Sequence, residues 1–326
     1  MLRHARALAV PALLAALLSP LTGGAPAQAQ GQGLKILAPA APGGGWDQTA
    51  RAMQQALVAS GAARSVQVVN VPGAGGTIGI AQFVTGAKGD PTQLMVNGYV
   101  MLGAILTNKS PVGLDQVTPI ARLTEETEAV VVPTASPLKT IADLMALLKD
   151  NPAKVTWAGG SAGGVDHIAA ALLARAAGAD AAKINYIPFS GGGEALAAVL
   201  GGKVTAGISG YGEFENQVKA GKLRVLAITG PERVPGVDAP TLKEAGIDLS
   251  ITNWRSVVAP PGITPEQRKD LVAMVETMVK SPAWQDILKQ KGWDDAFLPG
   301  EAFAQFLAAE NIRTTETLKS IGLVKP

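Results

Sequence analysis

The stretch Ala41 to Arg51, APGGGWDQTAR, sets three glycines and an acid between a short apolar run, Leu34 to Pro39, and a segment of helical periodicity. A strand that ends in bare backbone and turns at once into a helix is the connection of an α/β protein. The helix carries Ala50, Met53, Ala56 and Leu57 on one stripe and stops at Ser60-Gly61, with Asp47 expected as its N-cap. Glycine leaves main-chain N–H groups uncovered, and the first turn of a helix adds unpaired donors and the positive end of its dipole. Such a place receives anions, phosphate and carboxylate alike, at the carboxyl ends of parallel strands.

The same logic recurs three times: Pro72 to Thr77 (PGAGGT), Gly159 to Gly164 (GGSAGG) and Phe189 to Glu194 (FSGGGE). Around these loops the apolar runs Leu34–Pro39, Val66–Val71, Leu94–Gly98, Ala129–Val132, Val155–Ala158, Ile184–Phe189, Val204–Ser209, Leu223–Thr229 and Asn253–Ala259 read as strands. Thr140 caps a helix that Pro152 follows, and Pro265–Lys280, Pro282–Lys291 and Gly300–Lys319 read as three helices with no strand between them. AVVVP at 129–133 and NWRSVVAPP at 253–261 look like two crossings between lobes. One lobe is then expected at 30–132 plus 257–326 and the other at 133–256, with two of the glycine loops in each and a hinge between them.

The first 29 residues are read as an address. Arg3 and Arg6 precede an apolar stretch from Ala7 to Leu18, and Ala27-Gln28-Ala29 offers a cleavage site, as in a secretory signal. The apolar stretch is shorter than the ~20 residues a spanning helix needs. Removing it takes two arginines and no acid, so the 28 basic residues fall to match the 26 acidic ones. A near-zero charge argues against a nucleic-acid or anionic-membrane binder. With no cysteine, an exported chain must hold together without disulfides and cannot carry a lipid on an N-terminal Cys. Roughly 300 remaining residues exceed one typical core and favour two domains.

Several chemistries fail on their own requirements. GAGGTIG, Gly73 to Gly79, approaches the dinucleotide fingerprint, but its third glycine is one position late and no acid closes the next strand at the usual distance. No loop continues into Gly-Lys-Ser/Thr, so there is no P-loop. GGSAG, Gly159 to Gly163, fits the nucleophile elbow of a serine hydrolase through Ser161. The chain after residue 29 holds a single histidine, His167, six residues on, where six helical residues rise ~9 Å and put it beyond hydrogen-bond reach. One His and no Cys also leave a transition-metal site short of ligands, and no cofactor is expected. Asp47 and Asp166 read as first-turn residues, and Trp46, Tyr99, Phe189, Tyr211 and Trp254 as core or pocket wall.

Taken in order, PGGGWDQTAR, VPGAGGTIG, GGSAGGVDH, GGGEALAAVLGGKV, APTLKEAG and APPGITPEQ closely resemble the solute receptors of tripartite tricarboxylate transporters, the Bug or TctC family. The resemblance spans essentially the whole chain after the signal. It implies a type II periplasmic-binding-protein fold: two α/β lobes with mostly parallel sheets joined by two crossover strands, no catalysis, and a di- or tricarboxylate held largely by backbone amides and ordered water. It also implies membrane permease subunits as partners; the export signal points to the periplasm, a monomer is expected, and a sensor kinase is the alternative partner. The motifs carried over place the ligand against Gly43, Gly44, Gly45, Trp46 and Asp47, then Ala74, Gly75, Gly76 and Thr77, then Ser161, Ala162, Gly163, Asp166 and His167. Ser190, Gly191 and Gly192 of the fourth loop, with Tyr99 and Tyr211, complete the expected site. The chain departs from the commoner pattern in its third glycine and Trp46, in Val69-Asn70-Val71, in Gly89-Asp90-Pro91 and in Phe189-Ser190. The acid held therefore need not be the family's usual one.

Overall fold

The computed structural model describes residues 33–160, 162–189 and 192–325; the expected export signal lies outside them, as do Ser161, Ser190 and Gly191. The chain first lays down β1 (Leu34–Ala38), α1 (Gly45–Ala59), β2 (Val66–Asn70), α2 (Thr77–Gly86), β3 (Gln93–Gly98) and α3 (Tyr99–Thr107). β4 (Thr118–Pro133) follows, then α4 (Ile141–Asp150), β5 (Thr156–Gly159), α5 (Val165–Ala176), β6 (Asn185–Pro188), α6 (Gly192–Leu200), β7 (Ala206–Gly210), α7 (Tyr211–Lys219) and β8 (Leu223–Ile228). β9 (Thr252–Ala259) leads back to α8 (Pro265–Val279), α9 (Pro282–Lys291), β10 (Asp294–Pro299) and α10 (Gly300–Ser320).

β4 organises the molecule. At 16 residues and ~3.3 Å per residue it runs about 50 Å, far beyond an ordinary strand. From Thr118 to Thr127 it pairs with β9, and β10 adds on its other side; from Glu128 to Pro133 it pairs with β7 and β8. The partners change between Thr127 and Glu128. β1 pairs in parallel with β2 and β3, and β5 with β6 and β7, so the outer strands are parallel as the sequence suggests. The middle is antiparallel. Two neighbouring passages, one outward and one returning, can pair only that way. Register breaks in the β4–β9 ladder near Pro119 and Arg122 bend the pair.

The long strand was legible only in part, because Thr118 to Glu128 carries Pro119 and three glutamates and reads as a loop. A strand between the C-terminal helices was not expected; β10 occupies that place. Its two leading acids and terminal Pro299 hide it, and it is an edge strand with a register break between Asp295 and Leu298.

Packing follows strand alternation. Val130 and Val132 face an apolar cluster with Leu144, Trp157 and Ile208, while Ala129 and Val131 face another with Val199 and Phe214. The first sheet is covered by α1 and the C-terminal helices, with Met53, Leu57, Val275 and Phe303 in one core. Thr140 caps α4 as expected, its hydroxyl accepting from the Asp143 N–H while the Asp143 carboxylate accepts from the Thr140 N–H. No helix among the described residues is long and apolar enough to cross a membrane.

Candidate functional site: an acid-rich cleft between two helix starts

At the first loop Gly44, not Asp47, is the N-cap of α1. Without a side chain Gly44 takes the extended angles of a cap at little cost, and Asp47 becomes the third helical residue, a position from which a carboxylate reaches back over the turn. Asp47 Oδ2 accepts from the Gly43 N–H at 2.8 Å. Its other partners are Asn70 Nδ2 at 2.9 Å and Arg51 Nε at 2.9 Å. Burial pushes the Asp47 carboxyl up, but the bonds from Arg51, Gly43 and Asn70 outweigh it and hold the carboxyl below its usual range.

The start of α5 repeats the device with a different residue. Gly164 is the N-cap, and His167, third in the helix, accepts from the Gly163 N–H through Nδ1 at 3.1 Å. Its ring stacks on Tyr186 with centroids 4.1 Å apart and 7° between planes. Burial drives the imidazole down to about 4, so at neutral pH it is uncharged, with its proton on Nε2. A histidine whose accepting nitrogen is already taken by backbone is not set up as a general base.

Between these helix starts lie two cavities that share Trp46 as a wall. The smaller, about 60 Å³, is lined by Gly44, Gly45, Asp166, Glu213, Asn253 and Arg255, with Gly160, Gly192 and Ser209 beside them. That volume admits a few waters or one small polar group. The larger, about 300 Å³, is lined by Gly73 to Gly76, Ala162, Phe189 and Glu194. Helix geometry leaves the N–H groups of Gly45 and Trp46 without intrahelical partners on this side. Gly45 must be bare for a second reason: a Cβ there would lie 2.6 Å from Arg255 Nη2. The third glycine of the opening stretch thus makes room for a guanidinium brought by β9.

The structure therefore brings Gly44, Gly45, Trp46, Asp166 and Gly192 to one cavity and Trp46, Ala74, Gly75, Gly76 and Ala162 to the other. Gly43, Asp47, Thr77, Tyr99, Gly163, His167 and Tyr211 line neither. Thr77 donates its hydroxyl to the Ala74 carbonyl at 2.9 Å and starts α2. Tyr99 is buried against Trp254, with ring centroids 6.3 Å apart, and burial raises its phenol. Tyr211 packs with Phe214 in the apolar cluster of the second sheet.

What sequence reading missed is the charge. Glu126 and Glu128 on β4, Asp166 on α5 and Glu213 on α7 form one acid cluster, with Arg255 beside Glu126 and Glu213. Arg255 Nη2 bonds Glu126 and lies 4.0 Å from Glu213 Oε1, and the guanidinium sits over Trp293 at 5.1 Å. Glu213 accepts from Ser209 Oγ at 3.2 Å. Burial, then the negative charge of Glu126, pushes the Glu213 carboxyl up to about 7. Asp166 accepts from the Gly160 N–H at 2.5 Å, yet burial carries it to about 6. Glu128 is raised well above its ordinary value by burial and by the charge of Asp166. Neither of its oxygens has a hydrogen-bond partner, so burial favours its uncharged form. Among the arginines near the crossings and the first helix, Arg255 reaches the cleft, while Arg51 covers Asp47 and Arg122 stacks on Phe306. The available signal was a run of acids immediately before the apolar AVVVP and the alternation Asn253, Arg255 on the opposite crossing. Among the described residues no group of three or more His, Cys, Asp or Glu is arranged to hold a metal ion.

Residues 49–323 match the model of the tripartite tricarboxylate transporter family receptor. The chain belongs to this family. BugT of Bordetella pertussis is 26% identical over 294 residues, 89% of each chain. MatC of Rhodopseudomonas palustris, solved with bound malate, is 25% identical with a TM-score of 0.77, over 87% of this chain and 98% of MatC. The periplasmic binding protein BugD superposes with a TM-score of 0.79 over 90% of this chain and 99% of BugD; at 24% identity it bears on the fold alone. The α/β periplasmic-binding-protein architecture implied by the family resemblance is therefore shown, with a mixed sheet through its centre.

Proposed function

We propose that this receptor captures a small carboxylate in the cleft between its two sheets, performs no chemistry on it, and hands it to membrane permease subunits from the periplasm. Family membership supports the receptor role, and the malate bound to MatC supports an acid as ligand. The observation that carries the reading is the pair of glycine-led helix starts, α1 and α5, set across one cleft with the bare loop at Gly73 to Gly76 between them. Uncovered N–H groups at helix starts are suited to carboxylate oxygens.

The two lobes are expected as 30–132 plus 257–326 and 133–256, with their boundary on β4 a few residues past the point, between Thr127 and Glu128, where β4 changes partners. On this reading an acid docks on one lobe and the other closes over it about β4 and β9, the closed form being what the permease recognises. Thermal-shift screening of the purified protein against mono-, di- and tricarboxylates tests it. At about a hundred times Kd a ligand adds ~2.7 kcal/mol to native stability, a rise of roughly 5 °C or more. A flat response to every acid overturns the carboxylate reading. Turnover of an ester that Ser161→Ala abolishes overturns the absence of catalysis.

A further inference from the structure

Helix α3 runs along the cleft and borders both cavities, Val100 lining the smaller and Asn108 the larger. Val100, Gly103 and Thr107 follow one another at helical spacings of three and four, so they share one face. That face meets the third glycine loop, Gly159 to Gly164, which belongs by chain order to the other lobe. The approach is main chain to main chain. A Cβ on Gly103 would overlap the Gly163 carbonyl oxygen, and one on Gly163 would lie 2.9 Å from the Gly103 carbonyl oxygen. Gly163 has a φ of +74°, a left-handed turn that a side chain would strain. Thr107 closes over this turn, its methyl filling the space that a Cβ on Gly163 would need. Its hydroxyl lies 3.2 Å from the Ala162 carbonyl oxygen and 3.0 Å from that of Gly103, one proton shared between the loop and its own helix.

Glycine in the middle of a helix is costly relative to alanine, and Gly103 stands at the middle of α3. The close approach it permits offsets that cost. Behind the contact, Val165, Ile168 and Ala171 of α5 belong to the apolar core of the first sheet together with Leu102, Leu318 and Ile321, and Arg175 Nη1 donates to Ser320 Oγ at 2.9 Å. The loop reaches the solute space, Gly160 lining the smaller cavity and Ala162 the larger, whereas Gly103, Thr107 and Gly163 line neither. Resting on the acid-binding reading above, we propose that Gly103 and Thr107 are positioning residues for solute capture. α3 of one lobe seats the third glycine loop of the other in the place where its backbone meets the acid. Affinity is then set in part by two residues that touch no solute, because hydrogen bonds from a displaced loop weaken steeply with distance and angle.

Calorimetric titration of the purified protein at pH 7.5 with malate, succinate, adipate and citrate tests this, alongside amide hydrogen exchange without solute. Gly103→Ala, whose methyl must push Gly163 away, weakens the tightest of these acids at least about tenfold and speeds exchange across residues 162–168, leaving 73–79 unchanged. Gly86→Ala, at a glycine of α2 whose Cβ would meet open space, changes neither. Thr107→Val, which keeps the shape and removes the donor, weakens binding at least about threefold, and Thr107→Ser, which keeps the hydroxyl, restores most of it. A contact that only supports the fold would lower the melting temperature and leave Kd alone. The inference is therefore overturned if folded Gly103→Ala binds as the parent does, or if exchange at 73–79 rises as much as at 162–168, which marks general loosening. Where circular dichroism shows that Gly103→Ala does not fold, Thr107→Val decides, and parental affinity with parental exchange overturns the inference. If none of the four acids binds the parent, the carboxylate reading falls, and unchanged exchange at 162–168 in the variants overturns the seating by α3 as well.

Discussion

The starts of α1 and α5 are built alike and end opposite in character. Each follows a strand, is capped by a glycine, and turns its third side chain back to accept from the N–H of the glycine before the cap. At α1 that third residue is Asp47, ionised and held by three donors; at α5 it is His167, neutral and stacked on Tyr186. The second residues differ as well, Trp46 on one side of the cleft and Asp166 on the other. One backbone device therefore presents an apolar wall from the first sheet and a buried acid from the second. The backbone fixes where the turn sits, and the surrounding charge decides which side chain it can hold.

The sharpest way to break the comparison is to make the two starts the same. His167→Asp would put the Asp47 arrangement into α5, but beside Asp166, Glu128 and Tyr186 instead of beside Arg51 and Asn70. A further carboxylate with no cation to meet it costs about 3–5 kcal/mol. The variant is expected to unfold at much lower denaturant concentration than the parent or to fail to fold. A midpoint within error of the parent would mean the acid cluster is well solvated.

The second test uses pH. Asp166, at about 6, and Glu213, at about 7, hold protons in the folded chain that the unfolded chain releases near its ordinary carboxyl values. The folded state binds more protons in that interval, so stability falls as pH rises through 6 and 7. His167 works the other way, losing stability as pH drops from about 6.5 to about 4, and is silent above that. Between pH 6 and pH 8 the two acids alone predict a loss of roughly 1–2 kcal/mol, read from urea midpoints. Glu213→Gln removes most of the slope. A stability that rises over this range would contradict the raised acids.

The third test separates the two aspartates by sign. Asp47→Asn keeps an acceptor for Gly43 but exchanges a well-held carboxylate for an amide, and is expected to cost about 1 kcal/mol. Asp166→Asn removes a carboxylate whose charge burial disfavours, and its amide can still accept from the Gly160 N–H. At pH 8 it is expected to raise the melting temperature. Shifts of the same sign in the two variants would erase the distinction between the helix starts.

How far the sequence could be read follows the same division. Features set by backbone chemistry were visible: the glycine loops, the helix capped by Thr140, and the apolar strands flanking each. Asp47 was placed in the right turn but at the wrong position, because a glycine cap leaves no side-chain signature while a first-turn Asp suggests one. Glu126, Glu128, Glu213 and Arg255 come from three elements far apart in the chain, and each alone looks like a surface charge. Their meeting depends on β4 and β9 crossing side by side, and that pairing is tertiary. β10 was hidden for the same reason, since its acids make sense only as an edge against β4.

The smallest expected effect belongs to Arg51, and it tests which partner makes Asp47 different from His167. Arg51 donates through Nε to both carboxylate oxygens, but its side chain is 53% exposed while that of Asp47 is 3% exposed. An ion pair with one member in water is screened by salt and gives up side-chain entropy to form. The buried donors, Gly43 N–H and Asn70 Nδ2, remain when Arg51 is cut back. Arg51→Ala is therefore expected to lower the melting temperature by no more than about 2 °C at 0.15 M salt, whereas Asn70→Ala, which strips a buried donor, should lower it further. If the order reverses, the surface arginine and not the buried amide holds Asp47 in its turn, and the difference between the two helix starts comes from charge pairing at the surface.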